Sequence, residues 1–502
     1  MKKLAVVTLI PALLFLTSPV YGATITVCPS GCNYTDIQMA YNNSNCGDIV
    51  EIRSNGLYDT YLIFNKNCTA GNSIIVKNGA GYIPVITSTI STSWTTGISL
   101  SGSYNTIDGI KVKDLYHGNA VYVSGNYNTI QNCTFDNIDY KDMALGNCAD
   151  AVWLDSSSNI VQNCTFLDAN HGSLLIYQNP NSTRPVRYNQ IINNTFYNKY
   201  GHGVSILGNA AQYNLIDGNT FRDHGSLSTN AAKSGIQISG GQNNSIRRNV
   251  FYDIYNRAME ISSYSIFTNN TANNLIYNNT FYNIPTRPSS GTTLYWIKIG
   301  NGGGTYNVTN NRFYNNIADK IGKQLNTEFF NTYAAWVLYY VNENDAGDNL
   351  AQITFNNWNG NYLVNNSIRH YQGGSYDVNY PYAIQYVNSG STYHGYWSVT
   401  GVNGIGSMSG NITTDCQLVS TDTSQPGWWY LKGTSPCINA GIVVNDTNAS
   451  VGGWSQLTYT GSAPDIGAYE YAGVNPPAPS PSPPPGDASA PAPPTGLTIT
   501  PQ

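Results

Sequence analysis

Charge is what this chain has least of. Lys, Arg, Asp and Glu make up 10% of its residues, against about 25% in ordinary soluble domains. The formal net charge of −5 contains no basic excess, so the electrostatic footprint of a nucleic-acid partner is missing. No P-loop or dinucleotide fingerprint is present, which leaves nucleotide chemistry unsupported. No Cys-x-x-Cys pair and no Cys/His cluster at zinc spacing occurs, and Gly-Gly-x-Gly-x-Asp calcium repeats are absent. Low charge does not mean disorder here, because 41% of residues are hydrophobic and they recur in register.

What recurs is one short phrase, clearest as Asn214-Leu-Ile-Asp-Gly-Asn-Thr-Phe221. Copies begin at Asn128, Asn159, Asn189, Asn244 and Asn274, and looser ones at Asn105, Tyr306 and Asn361. Starts lie 23 to 32 residues apart, except for one gap of 55 that is expected to hide a degenerate copy. An aliphatic column lies two places after each start: Ile107, Ile130, Val161, Ile191, Ile216, Ile246, Ile276, Val308 and Leu363. An aromatic column lies at place seven, from Phe135 to Phe281 and on to Phe313. One repeat cannot bury its own apolar face, but a stack can. A second alternating segment follows each phrase, as in Ala120-Val-Tyr-Val123, with no room for crossover helices. A parallel β-helix satisfies this pattern, with one coil per repeat and about 4.8 Å between coils. Asn194, Asn219, Asn249, Asn279, Asn311 and Asn366 are expected to form an internal amide ladder at a turn.

Residues 1–22 read as a secretory signal: Lys2 and Lys3, an apolar Leu4 to Leu16, and a cleavage site at Val20-Tyr-Gly22. The apolar run is short for a membrane span, and a retained anchor is the alternative. The mature chain then has no transmembrane segment and is expected to be secreted or held at the cell surface, as a monomer. Export permits disulfides among the nine cysteines. Cys28 with Cys32, Cys46 with Cys68, and Cys416 with Cys437 are the local pairs. Cys133 and Cys164 share a repeat position about 5 Å apart and are either a disulfide or two buried thiols, with Cys148 left over. Thr35 to Tyr41 is the best helix, capped by Thr35 or Asp36, and plugs the N-terminal end of the stack. Residues 24–471 are expected to form the solenoid domain and 472–494 a Pro/Ala/Ser linker, and in the tail at 495–502 Pro493-Pro-Thr-Gly-Leu-Thr-Ile499 resembles the first strand of a fibronectin type III module, either truncated or vestigial. From Arg369 to Thr400 the rhythm breaks, into either decorated coil or a cap.

These repeats resemble right-handed parallel β-helix proteins of the pectate-lyase-like superfamily. The ends sharpen the resemblance: Gly31-Cys-Asn-Tyr-Thr-Asp-Ile-Gln38 with Gly47-Asp-Ile-Val50, and Ser435-Pro-Cys-Ile-Asn-Ala-Gly441 with Asp465-Ile-Gly-Ala-Tyr-Glu-Tyr471. It implies an all-β, right-handed fold and a polysaccharide or cell-surface glycan as partner. It does not imply one activity, since lyases, hydrolases, epimerases and adhesins share the fold. Gly201-His-Gly203 matches one element of the polygalacturonase-like hydrolases, but their Asn-Thr-Asp, Asp-Asp and Arg-Ile-Lys are missing, with Trp296-Ile-Lys298 a partial echo.

Stacking lets a surface column be read directly. Aligning the second segments on Val121, Val152, Leu174, Val204, Ile236, Met259 and Ile297 places Tyr122, Trp153, Glu260 and Lys298 one residue on. Asp150, His202 and Arg257 fall two residues back, and His171 and Lys233 three. These nine residues should gather on one face. Asp150 and Glu260 are four coils apart, about 19 Å, too far for the paired carboxylates of a glycosidase. A lyase needs a base for the sugar C5 proton and a cation for the uronate carboxylate, which His202 and Arg257 could supply. Asp150, His171, Lys233, Glu260 and Lys298 would extend the groove, and Tyr122 and Trp153 would stack on sugar rings. Solvated decoration of a surface strand is the plain alternative, and a non-catalytic adhesin or structural module the rival function. No cofactor is required; Asp136, Asp168, Asp223 and Asp253 after the Phe column serve turns or, alternatively, a calcium ion.

Overall fold

The computed structural model describes residues 22–88, 96–139, 149–224, 233–254, 257–264, 266–286, 295–302, 308–324, 336–342, 362–364, 367–372, 375–376, 384–388, 391–393, 408–412 and 414–473, with backbone alone for 263–264, 285–286, 295–302, 320–324 and 336–408. The leader, the Pro-rich stretch and tail after 473, Tyr306, Asn366, Cys148 and the Lys298 side chain lie outside what is described.

Each phrase builds two strands and the turn between them. In one coil these are Leu215–Asp217 and Thr220–Arg222. The residue at place four of the phrase adopts the left-handed conformation, with φ from 51° to 68° at Gly109, Asn132, Asn163, Asn193, Gly218, Arg248, Asn278 and Asn315. Asn and Gly are the residues that tolerate this region best, which explains why they dominate this place. A third strand follows, such as Ser234–Ser239. Like strands pair in parallel from coil to coil and form three sheets of 13, 12 and 12 strands, here called first, second and third in the order the chain visits them. The chain is a right-handed parallel β-helix.

The core is columnar. Ile216 pairs with Ile191 and Ile246, and Phe221 with Phe196 and Phe251. The Phe rings from Phe135 to Phe281 stack with centroids 4.5 to 4.9 Å apart. That separation follows from the coil rise and suits offset-stacked rings. Asn194, Asn219, Asn249 and Asn279 form the expected ladder, each side-chain amide donating to the next side-chain oxygen at 3.0 Å. A second ladder, not expected, runs through the first Asn of the phrase, from Asn105 to Asn311.

Two assignments at the C-terminal coils need correcting. Phe313 pairs with Ile276 and Leu363, so it belongs to the aliphatic column, and Phe281 pairs with Ala318. The true copy begins at Asn311, which moves to the first-Asn ladder and puts Asn316 in the other; Val308 pairs instead with Thr271 in a separate small sheet. The long gap hides no extra coil, because Arg312–Tyr314 pairs directly with Tyr362–Val364.

The N-terminal helix α1 spans Ile37–Asn42, with the Asp36 side chain accepting from Met39 N–H and Ile37, Ala40 and Tyr41 buried. The Gln38 amide bonds both backbone groups of Ile63 on the outermost strand of the third sheet, covering part of a sheet edge. Cys28–Cys32, Cys46–Cys68 and Cys416–Cys437 are disulfides, and Cys133 and Cys164 are buried free thiols. Ser367–Gln372 and Ile384–Asn388 each continue a parallel sheet and fold into an antiparallel hairpin, so the break in rhythm is decorated coil.

Residues 414–473 run back along the side of the helix. Cys416, Leu418, Trp428, Leu431, Cys437, Ile466 and Ala468 pack on the outward side chains of Val250, Tyr252, Tyr282 and Ile317. Asp446, which caps helix α2 at Thr447–Gly452, also accepts from Ser245 Oγ and Tyr277 Oη. No described helix is long and apolar enough to cross a membrane.

Candidate functional site at the corner between the second and third sheets

The polar residues of interest lie where the chain turns from the second sheet into the third. Strand register fixes their order along the axis. Asp150 pairs with Gly172, Gly172 with His202, and Ser234 with Arg257. Tyr122, Trp153, Leu175, Ser205, Gln237, Glu260 and Lys298 form the neighbouring column by the same pairings. Asp150 and Glu260 sit on strands four steps apart, about 19 Å, so the two carboxylates are not a glycosidase pair.

Four contacts tie the corner together. His171 Nδ1 lies 3.1 Å from Asp150 Oδ1. Gly172 makes room for this pairing, since a Cβ there would meet Asp150 Oδ1 at 2.4 Å. Ser234 N–H donates to His202 Nδ1 at 3.0 Å, and the His171 and His202 rings meet edge to face at 6.2 Å. Arg257 pairs with Glu260.

Burial differs from the expected solvated face. Asp150, His202, Ser234 and Glu260 are 0 to 6% exposed, while Trp153, His171, Lys233 and Arg257 are partly exposed. Burial, reinforced by Lys233, His171 and Arg257, holds the His202 imidazole well below its usual range. The neutral ring accepts from Ser234 at Nδ1, so its proton sits on Nε2. In this form His202 presents a donor at Nε2. In His171 the Asp150 contact places the proton on Nδ1 and a lone pair on Nε2.

Ser234 was not legible as a site residue. Among the described residues, its buried Oγ and the buried Nε of Arg257 have no hydrogen-bond acceptor, and the second carboxylate oxygen of Asp150 has no donor. Buried polar groups are nearly always satisfied, so donors left open on adjacent strands are informative. Further residues share the corner. Asp139, 0% exposed, faces His117 at 3.5 Å and accepts from Asn170 at 3.2 Å. His224, also 0% exposed, is pushed down to about 4 by burial. Four of the chain's six histidines thus lie along one corner. Among the described residues no three His, Cys, Asp or Glu side chains converge as metal ligands. Asp136 instead pairs with Lys111, and Asp168 Oδ1 accepts from Lys199 N–H.

The family described as "right handed beta helix region" matches residues 37–221, and that described as "periplasmic copper-binding protein (NosD)" matches residues 136–315. The His171 and His202 Nδ1 atoms are already engaged, and no described cluster fits a copper ion. A search of curated proteins found no match in sequence. Among solved structures, pectate lyase Pel9A is similar over 89% of this chain and 96% of its own, at 16% identity and a TM-score of 0.53. An alginate lyase from Paenibacillus sp. str. FPU-7 is similar over 63% of this chain and 97% of its own, at 16% identity and a TM-score of 0.40. A GH136 lacto-N-biosidase from Eubacterium ramulus covers 64% of each chain, at 10% identity and a TM-score of 0.36. The likeness to the pectate lyase is one of fold.

Proposed function

We propose that this right-handed, pectate-lyase-like β-helix is an exported protein that binds an acidic polysaccharide at the corner between its second and third sheets and cleaves it by β-elimination. The observation that carries the reading is the pair of open donors, Ser234 Oγ and Arg257 Nε, buried on adjacent in-register strands. Such donors call for an anionic acceptor, and a uronate carboxylate bound there gains charge-assisted hydrogen bonds. Lys233 adds positive charge on the same coil as Ser234, and His202 Nε2–H adds a further donor.

With the carboxylate neutralised, the C5 proton of the uronate becomes acidic. His171 Nε2 takes that proton, oriented and stabilised as a cation by buried Asp150. The C5–H electrons form the C4–C5 double bond and the C4–O bond breaks. The imidazolium returns its proton to the departing oxygen, so the base ends neutral. Water is not consumed, and the new chain end is an unsaturated uronate.

The test is incubation of the full chain with polygalacturonate and with alginate, scored for unsaturated uronate. His171→Ala should lower turnover by about 100-fold or more while binding and melting temperature hold. Undiminished turnover in that variant would remove the proposed base. The near-complete burial of Asp150, His202 and Glu260 favours a second reading, a glycan-binding surface module without turnover. Binding with no unsaturated product would select it.

A further inference from the structure

Away from the corner, the outer face of the third sheet changes character. Trp153 sits between two tyrosines, edge to face with Tyr122 at 5.9 Å and with Tyr177 at 5.6 Å. All three are partly exposed. Their polar rim is a carboxylate, for Tyr122 Oη donates to Asp155 Oδ2 at 2.9 Å. Asp155 also acts on Tyr177, raising its hydroxyl after burial has done so. The nearby cation is Arg184, whose guanidinium donates to Ser124 O at 3.3 Å. Next along the column come Leu175, Ser205 and Gln237, which are buried, so the aromatic group is confined to the coils of Tyr122, Trp153 and Tyr177.

Two chemistries therefore lie side by side on one sheet. Asp150 and Trp153 share the strand Asp150–Leu154, and His171 directly precedes the strand Gly172–Tyr177. From His171 to Tyr177 is six residues, about 20 Å along the strand, a span of several sugar rings. Aromatic faces take the apolar face of a sugar, and the rim hydroxyl and carboxylate take its hydroxyl groups. A second uronate is unsuited to this place, because its carboxylate would meet Asp155 with like charge.

We infer that Trp153, Tyr122 and Tyr177, rimmed by Asp155, form a subsite for a neutral sugar, so that the glycan is a mixed polymer with a neutral residue beside the uronate. This rests on the acidic-polysaccharide reading of the corner, but its test reads separately. The full chain is titrated by calorimetry with cellohexaose and with a galacturonate hexamer. Cellohexaose should bind, Trp153→Ala should weaken it by about tenfold, Tyr177→Ala should weaken it less, and Trp153→Phe should recover much of it. Ser234→Ala should leave cellohexaose unaffected and weaken the galacturonate hexamer. Melting temperatures check folding of each variant. Equal affinity for cellohexaose in wild type, Trp153→Ala and Tyr177→Ala overturns the subsite, as does absence of binding by wild type. Loss of the galacturonate arm alone overturns the corner and leaves the neutral subsite standing.

Discussion

The two corners of each coil are built on opposite plans. Between the first and second sheets, the same left-handed place recurs in each coil and, from Asn194 to Asn279, the same Asn, and the ladder leaves its amides paired. Asn219 donates to Ile191 O and Asn249 Oδ1 and accepts from Asn194 N–H and Nδ2. Between the second and third sheets, each coil brings a different residue: Asp150, His171, His202, Ser234, Arg257. Donors there stay open. Repetition with full pairing is what stacking needs. Irregularity with buried, open donors is costly to the fold, and such local conflicts are expected at functional sites.

Substitutions should separate the two plans. Asn219→Ala removes a ladder member and strands donors and acceptors above and below it, so we expect a loss of roughly 3–5 kcal/mol, read by denaturant unfolding. His224 should show the reverse. Its place, three after Phe221, is held by Ile138, Ile254 and Ile284 in other coils, all buried. His224→Ile should stabilise by about 1–3 kcal/mol, since it replaces a fully buried polar ring by the local apolar norm. The gain should grow in acid. Burial holds His224 down at about 4, so below the unfolded value of ~6.5 the unfolded chain binds a proton that the folded chain does not. Stability is then lost as pH falls from ~6.5 toward ~4. Thermal melts at pH 5 and 7 should show a larger difference between variant and wild type at pH 5; an equal difference would mean that His224 titrates normally.

Much of the fold was legible because the Ile and Phe columns repeat in sequence as they stack in space. The third-sheet register was legible for the same reason: Val121, Val152, Leu174, Val204, Ile236, Met259 and Ile297 do pair as aligned. The slip at Phe313 came from a Phe standing in the aliphatic place, which made the wrong start look right. The first-Asn ladder has its signal in the Asn that opens the clear copies of the phrase. The lateral course of residues 414–473 had a signal in the outward places of the second sheet. These read Thr134, Asp136 and Thr220, Arg222 in open coils but Val250, Tyr252 and Tyr282 where the C-terminal segment packs. The site was only half legible. The ionisable residues stand out in a chain with so little charge, but Ser234 is one serine among many. The tautomer of His202 depends on a backbone N–H one coil away, which no residue pattern encodes.

Ser234→Ala tests the central claim most directly, because the two accounts of the corner predict different outcomes for it. The hydroxyl has no partner among the described residues, so its removal should change stability by less than about 0.5 kcal/mol. If the corner holds a uronate carboxylate, the same variant should bind a galacturonate hexamer about tenfold more weakly, the loss of a hydrogen bond to a charged group. Calorimetric titration of wild type and variant, with melting temperatures alongside, measures both. Weaker binding at unchanged stability is the predicted result. Unchanged affinity, or a loss of stability in place of affinity, would contradict the claim that this corner is an anion-binding site.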